Sequence, residues 1–107
     1  PKYGIGQGKQ ALAEILTGLG SFMASSRHDS ATYLIIEDGS RVVAEGHTSG
    51  TLRDGSSWSA GETPAGRFCN VFEFRDGLIC RLHVYLDPDY AGKDTANFHW
   101  GREGRTW

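Results

Sequence analysis

Cysteine, charge of one sign and long apolar runs are all scarce in this chain. It holds two cysteines among 107 residues. That is too few for the disulfide framework of a small secreted domain, and they read as reduced thiols of a cytoplasmic protein. The 11 Lys and Arg nearly balance the 13 Asp and Glu, for a formal net charge of −2. With no basic stripe, nucleic acid is not expected as a partner. No apolar run approaches the ~18 residues of a membrane span and no signal-peptide pattern is present, so no membrane partner is expected either. Neither an internal repeat nor a domain boundary is visible. What is plentiful is glycine, 15 residues, as suits a turn-rich β protein. A chain of this size can bury roughly two-thirds of its unfolded surface, enough for one core. Residues 1–107 are read as a single domain, with 89–107 an irregular aromatic tail.

The strongest pattern lies in the C-terminal half. Arg67-Phe68-Cys69-Asn70-Val71-Phe72-Glu73-Phe74 and Leu78-Ile79-Cys80-Arg81-Leu82-His83-Val84-Tyr85-Leu86 read as two strands around Arg75-Asp76-Gly77. Asp-Gly between apolar runs is a hairpin signal. Two registers compete. A two-residue turn sets Phe72 against Arg81 and Asn70 against His83. A three-residue loop sets Phe74 against Leu78, Phe72 against Cys80, Asn70 against Leu82 and Phe68 against Val84. The second gathers nearly every large apolar side chain on one face. A one-residue slip would exchange the faces, so the three-residue loop is preferred. The other face then carries Arg67, Glu73, Arg81, His83 and Tyr85, with Cys69, Val71 and Ile79 between them. Under the opposite parity His83 would enter the apolar side. Cys69 and Cys80 point to different faces and are not expected to bridge.

Upstream, residues 9–24 read as the one helix, because Leu12, Ile15, Leu16, Leu19, Phe22 and Met23 share a face. Gly18 and Gly20 each weaken it by about 1 kcal/mol. Residues 31–37 and 41–53 read as a second hairpin around Asp38-Gly39, with its register open. The run Tyr33-Leu34-Ile35-Ile36 predicts a strand covered on both faces. Residues 54–66 form a Gly/Ser/Pro-rich connection that holds Trp58. After Pro88 the periodicity ends, and Tyr90, Phe98, Trp100 and Trp107 need a surface to cover.

This order of elements resembles the SnoaL-like branch of the NTF2-like superfamily. The residues that carry it are Gly8-Lys9-Gln10-Ala11-Leu12-Ala13-Glu14-Ile15-Leu16, then Val71-Phe72-Glu73-Phe74-Arg75-Asp76-Gly77-Leu78-Ile79, then Val84-Tyr85-Leu86-Asp87-Pro88. The resemblance implies an α+β cone, a curved antiparallel sheet with a helix packed on its concave face over a pocket. Its members include ketosteroid isomerases, epoxide hydrolases, polyketide cyclases and binding or scaffold proteins. Such folds usually carry a helix pair and a short strand ahead of the stretch matching Tyr3 to Leu16. The isomerases' tyrosine and general-base aspartate would lie there, and this sequence does not contain that part. The epoxide-hydrolase triad falls on Val84, Gly46 and Thr48, none of which can move the protons that reaction needs.

The expected site is therefore an apolar pocket with few polar groups. Asn70 and Thr48, with the Cys80 thiol, would meet a small hydrophobic molecule of terpenoid, steroid or polyketide type among Phe68, Phe72, Phe74, Leu82 and Val84. Asn70 would orient a carbonyl or hydroxyl, or else bond backbone as a buried amide. If a reaction occurs, proton transfer suits the family, with His83 or His47 as base. Other arrangements carry less. Cys69 opposite His83 lacks an orienting third group. Glu45, His47 and His83 lack a further defined ligand, so no metal is expected. His28-Asp29 reads as a loop pair at the helix exit. Gly4-Ile5-Gly6-Gln7-Gly8-Lys9 lacks the spacing and the Ser/Thr of a phosphate loop. No cofactor is expected. In this superfamily the polar sheet face often meets a second subunit, so a homodimer is expected. The alternative function is a non-catalytic scaffold whose sheet and tail serve assembly.

Overall fold

A computed structural model of the protein describes residues 4–94. Phe98, Trp100 and Trp107 of the tail lie outside the described residues. One helix, α1 (Gly8–Phe22), precedes five strands: β1 (Met23–Asp38), β2 (Arg41–Leu52), β3 (Ser57–Ser59), β4 (Arg67–Arg75) and β5 (Leu78–Leu86). The strands form one antiparallel sheet in the order β1-β2-β4-β5, with the short β3 paired to β2.

Helix α1 runs without a loop into β1, so the first strand begins at Met23 rather than near residue 31. The Met23 N–H still donates to the Leu19 carbonyl as the backbone turns extended. Arg53 fastens this junction. Its Nε and Nη2 both donate to the Gly20 carbonyl, at 3.1 and 3.0 Å, and its backbone N–H donates to the Phe22 carbonyl. These bonds satisfy carbonyls that the end of a helix leaves free. The α+β class stands. No residue of α1 is buried, and it meets the sheet mainly through β1. Two glycines in its last turns and no acidic residue in its first leave little to order it apart from the Arg53 bonds.

Strand β1 is irregular between Asp29 and Leu34, where four residues of β1 stand against the single Gly46 of β2. Side chains close this bulge. Thr32 Oγ1 donates to the Asp29 carbonyl at 2.7 Å and accepts the His47 N–H at 3.0 Å. Bulges bend a strand and increase its twist, and here the bend brings Tyr33 over Gly46. The run Leu34-Ile35-Ile36, expected to be covered on both faces, is about half exposed throughout, because β1 is an edge strand.

The C-terminal hairpin keeps the predicted faces but not the predicted pairs. Its turn is the two-residue one, with Asp76 and Gly77 both at positive φ (52° and 73°), the backbone whose twist matches the flanking strands. Arg75 pairs Leu78 and Phe74 pairs Ile79. A bulge at Cys80 then shifts the ladder, so that Glu73 pairs Arg81, Phe72 pairs Leu82, Asn70 pairs Val84 and Phe68 pairs Leu86. Relative to the three-residue loop the ladder has slid by two residues, which preserves the faces. Ile79 changes sides and joins Phe74. Cys80 has no cross-strand partner and is exposed.

The connection from β2 to β4 is more ordered than its composition implied. Ser57-Trp58-Ser59 forms β3, and Trp58 is only 2% exposed. Ala44, Ala65 and Phe68 complete the buried apolar set among the described residues.

Candidate functional site

Register assigns each candidate to a face. On the face that holds the core, Thr48, Gly46, Ala44 and Val42 of β2 stand beside Phe68, Asn70 and Phe72 of β4 and Leu82, Val84 and Leu86 of β5. This is the interior face, and it brings together Asn70, Thr48, Phe68, Phe72, Leu82 and Val84. Phe74 joins them through its ring, 6.4 Å from that of Phe72. Cys80 does not, since it is the extra residue of the bulge and its thiol lies 3.4 Å from the Glu73 carbonyl.

Aromatic rings fill the β1 side of this face. Gly46 leaves bare backbone where a Cβ would meet the rings of Tyr33 and Phe68. Phe68 lies edge-on to Tyr33 at 5.6 Å and to His28 at 5.4 Å, an arrangement aromatic quadrupoles favour. Further along, Trp58 covers Gly50 and its Nε1 donates to Thr48 Oγ1 at 3.2 Å. Tyr90 packs on Trp58 at 4.9 Å and on Phe22 at 6.0 Å. Toward β5 the interior face is open. Leu82 is 40% exposed and Val84 53%.

Asn70 sits at the border of these regions, between Ala44 and Val84 in the ladder. Its Oδ1 is buried and has no hydrogen-bond partner among the described residues. A buried polar atom left unpaired costs about 1–3 kcal/mol, and native proteins keep few of them.

The two histidines expected as bases are elsewhere. His83 pairs Val71 and His47 pairs Arg67, which puts both on the outer face, away from Asn70. His83 Nε2 also accepts the Arg81 Nε–H at 3.0 Å, and the Tyr85 hydroxyl lies 3.5 Å from its Nδ1. A nitrogen already accepting a hydrogen bond is a poor proton acceptor for a substrate. Beside it a cleft of about 130 Å³ is lined by Arg41, Val71, Phe72, Glu73, Arg81 and His83, well short of the ~300 Å³ at which small-molecule pockets begin. His28 carries no signal of a site residue in the sequence, because His28-Asp29 reads as a loop pair at the helix exit, whereas β1 sets it against Thr48 on the interior face.

Among the described residues no group of three His, Cys, Asp or Glu side chains could hold a metal ion. Nor is any described helix long and apolar enough to cross a membrane.

Comparisons with known proteins agree with this architecture. The pattern of the SnoaL-like domain matches residues 1–82. Among solved structures, an NTF2-like protein of unknown function from Burkholderia pseudomallei superposes with a TM-score of 0.64 at 22% identity. The match covers 80% of this chain and 62% of that one, so this chain spans under two-thirds of its structural relative. No curated protein matches.

Proposed function

Because the chain belongs to the SnoaL-like domain family of the NTF2-like superfamily, we propose that its interior face binds a small, mainly apolar molecule anchored by Asn70. The observation that carries this reading is the orphaned Asn70 Oδ1, buried on an otherwise apolar face. A ligand O–H or N–H would supply the missing donor and recover the cost of leaving that atom dry. Phe68, Phe72, Phe74, Leu82 and Val84 provide the walls, and the exposure of the last two leaves apolar area for a ligand to cover. Thr48 accepts from Trp58 and retains its own O–H to donate. Turnover by proton transfer, as isomerisation or cyclisation, is the reaction class this reading admits. A cytoplasmic setting accords with the free thiols Cys69 and Cys80.

The test uses 2-naphthol, an apolar bicycle with one hydroxyl, followed by its fluorescence. Asn70→Ala is expected to weaken binding by about 3- to 10-fold, the loss of one hydrogen bond, with the melting temperature nearly unchanged. A large loss of stability with intact binding would make Asn70 a structural amide and overturn the reading.

A homodimer through the outer face is the second, non-catalytic reading. Across the strands that face carries a row of alternating charge, Asp38, Arg41, Glu73 and Arg81, followed by Ile36, Val43, Val71 and His83. Ile36 at 54% and Tyr85 at 58% are exposed apolar surface beside that row, a composition suited to association. Sedimentation of the wild type against Ile36→Lys reads this out, and a monomer at all concentrations rejects it.

A further inference from the structure

We infer that the outer face pairs with a second copy of this chain about one particular two-fold axis. The axis runs along the strands midway between β2 and β4, so that Asp38 meets the partner's Arg81 and Arg41 meets the partner's Glu73. The inference rests on the homodimer reading of this face and fixes its geometry. Neighbouring strands set Asp38 beside Arg41, Arg41 beside Glu73 and Glu73 beside Arg81, and residues opposite one another in a ladder share a face. The row therefore crosses the sheet as minus, plus, minus, plus. Read backwards it becomes its own complement, which is what contact between identical patches demands.

When a two-fold packs two sheets face to face, its axis lies in the plane between them. Along the strands, it reverses every cross-strand row. Each charge then meets an opposite one, Val43 meets the partner's Val71, and Leu34 meets the partner's Tyr85. An axis along the charged row would set Asp38 on the partner's Asp38 and Arg81 on the partner's Arg81, and facing like charges are costly. An axis along the row of Ile36, Val43, Val71 and His83 would set Asp38 on the partner's Leu34 and Arg81 on the partner's Tyr85, which desolvates charge without pairing it. The charges are available for such contacts. Asp38, Arg41 and Arg81 are exposed. Asp38 and Arg41 have no ion pair among the described residues, and that between Arg81 and Glu73 is long, at 3.7 Å. Stacked sheets keep their strands within about 30° of each other, a divergence that long arginine side chains span.

Sedimentation of charge-reversed chains tests the axis. Asp38→Arg alone sets two arginines face to face, and Arg81→Asp alone sets two aspartates face to face. Each is expected to weaken self-association by about 10- to 100-fold, the reversal of two ion pairs per dimer. An equimolar mixture of the two restores both pairs and should dimerise about as tightly as the wild type. If either variant fails to fold by circular dichroism, Arg41→Asp mixed with Glu73→Arg tests the inner pair in the same way. A wild-type dimer that Ile36→Lys disrupts, but whose charge-reversed variants gain nothing on mixing, overturns the axis and leaves the outer-face dimer intact. A wild type that stays monomeric at all concentrations overturns the homodimer reading, and the axis falls with it.

Discussion

The ring of Phe68 on β4 lies over the bare backbone of Gly46, its direct partner on β2. Any Cβ at position 46 would come within 3.0 Å of the Phe68 ring and closer still to that of Tyr33. This contact joins three strands, since Tyr33 comes from the bulge in β1, and it sets the floor on which His28 and Asn70 stand.

Gly46→Ala should therefore push two rings apart in a place with little room. Overpacking of this kind costs about 1–3 kcal/mol. Urea unfolding followed by circular dichroism measures it, and an unchanged midpoint would mean that the rings move aside freely.

Among the described residues Trp58 is the large side chain buried most completely, and it links β3, Thr48 and Tyr90. Trp58→Ala should cost about 3–5 kcal/mol. Trp58→Phe keeps an aromatic contact to Tyr90 and loses the bond to Thr48, so its loss should be clearly smaller. Equal losses would mean that the indole N–H, rather than packing, dominates.

Arg53 holds the end of α1 through the Gly20 carbonyl. Since no residue of the helix is buried, Arg53→Ala should loosen α1 selectively, by roughly 1 kcal/mol. Hydrogen exchange should quicken for amides of α1 while those of β2 and β4 hold their protection. Uniform acceleration across the sheet would contradict this assignment.

The Ser56 hydroxyl and then the Ser56 backbone N–H, both donating to Asp54 Oδ1 at 2.6 and 2.9 Å, hold the Asp54 carboxyl below its usual range. A depressed folded value means that the stability it contributes is present above the ordinary carboxylate range and is lost as pH falls through the depressed value. Ser56→Ala removes the larger of these causes, so Asp54 should titrate at higher pH, as followed by carboxyl ¹³C shifts. A titration unmoved by the substitution would assign the depression elsewhere.

Several of these features were legible along the chain. The alternation of Phe68, Asn70 and Phe72 against Cys69, Val71 and Glu73 sorts the two faces without any pairing information, because side chains alternate with period two. The same alternation is blind to slides of two residues. The actual ladder, with its type of turn and its bulge at Cys80, sets Asn70 beside Val84 rather than Leu82 while leaving the faces from Phe68 to Glu73 and from Arg81 to Leu86 as expected, and it changes sides only next to the turn, around Ile79 and Cys80. Trp58 was hidden by its Gly- and Ser-rich neighbours, since local composition says nothing of a three-residue strand held by its partner.

Sequence alone determined the class of fold, the strand that carries Asn70 and the apolar character of its surroundings, because period, turn chemistry and hydrophobicity are local. Tertiary structure decided which histidine shares a face with Asn70. His28 reaches it through a long first strand, while His47 and His83 turn outward. It also decided that Asn70 Oδ1 is left without a donor. Both depend on what lies across the sheet, and a contact between residues distant in the chain is set by the whole ladder rather than by either segment.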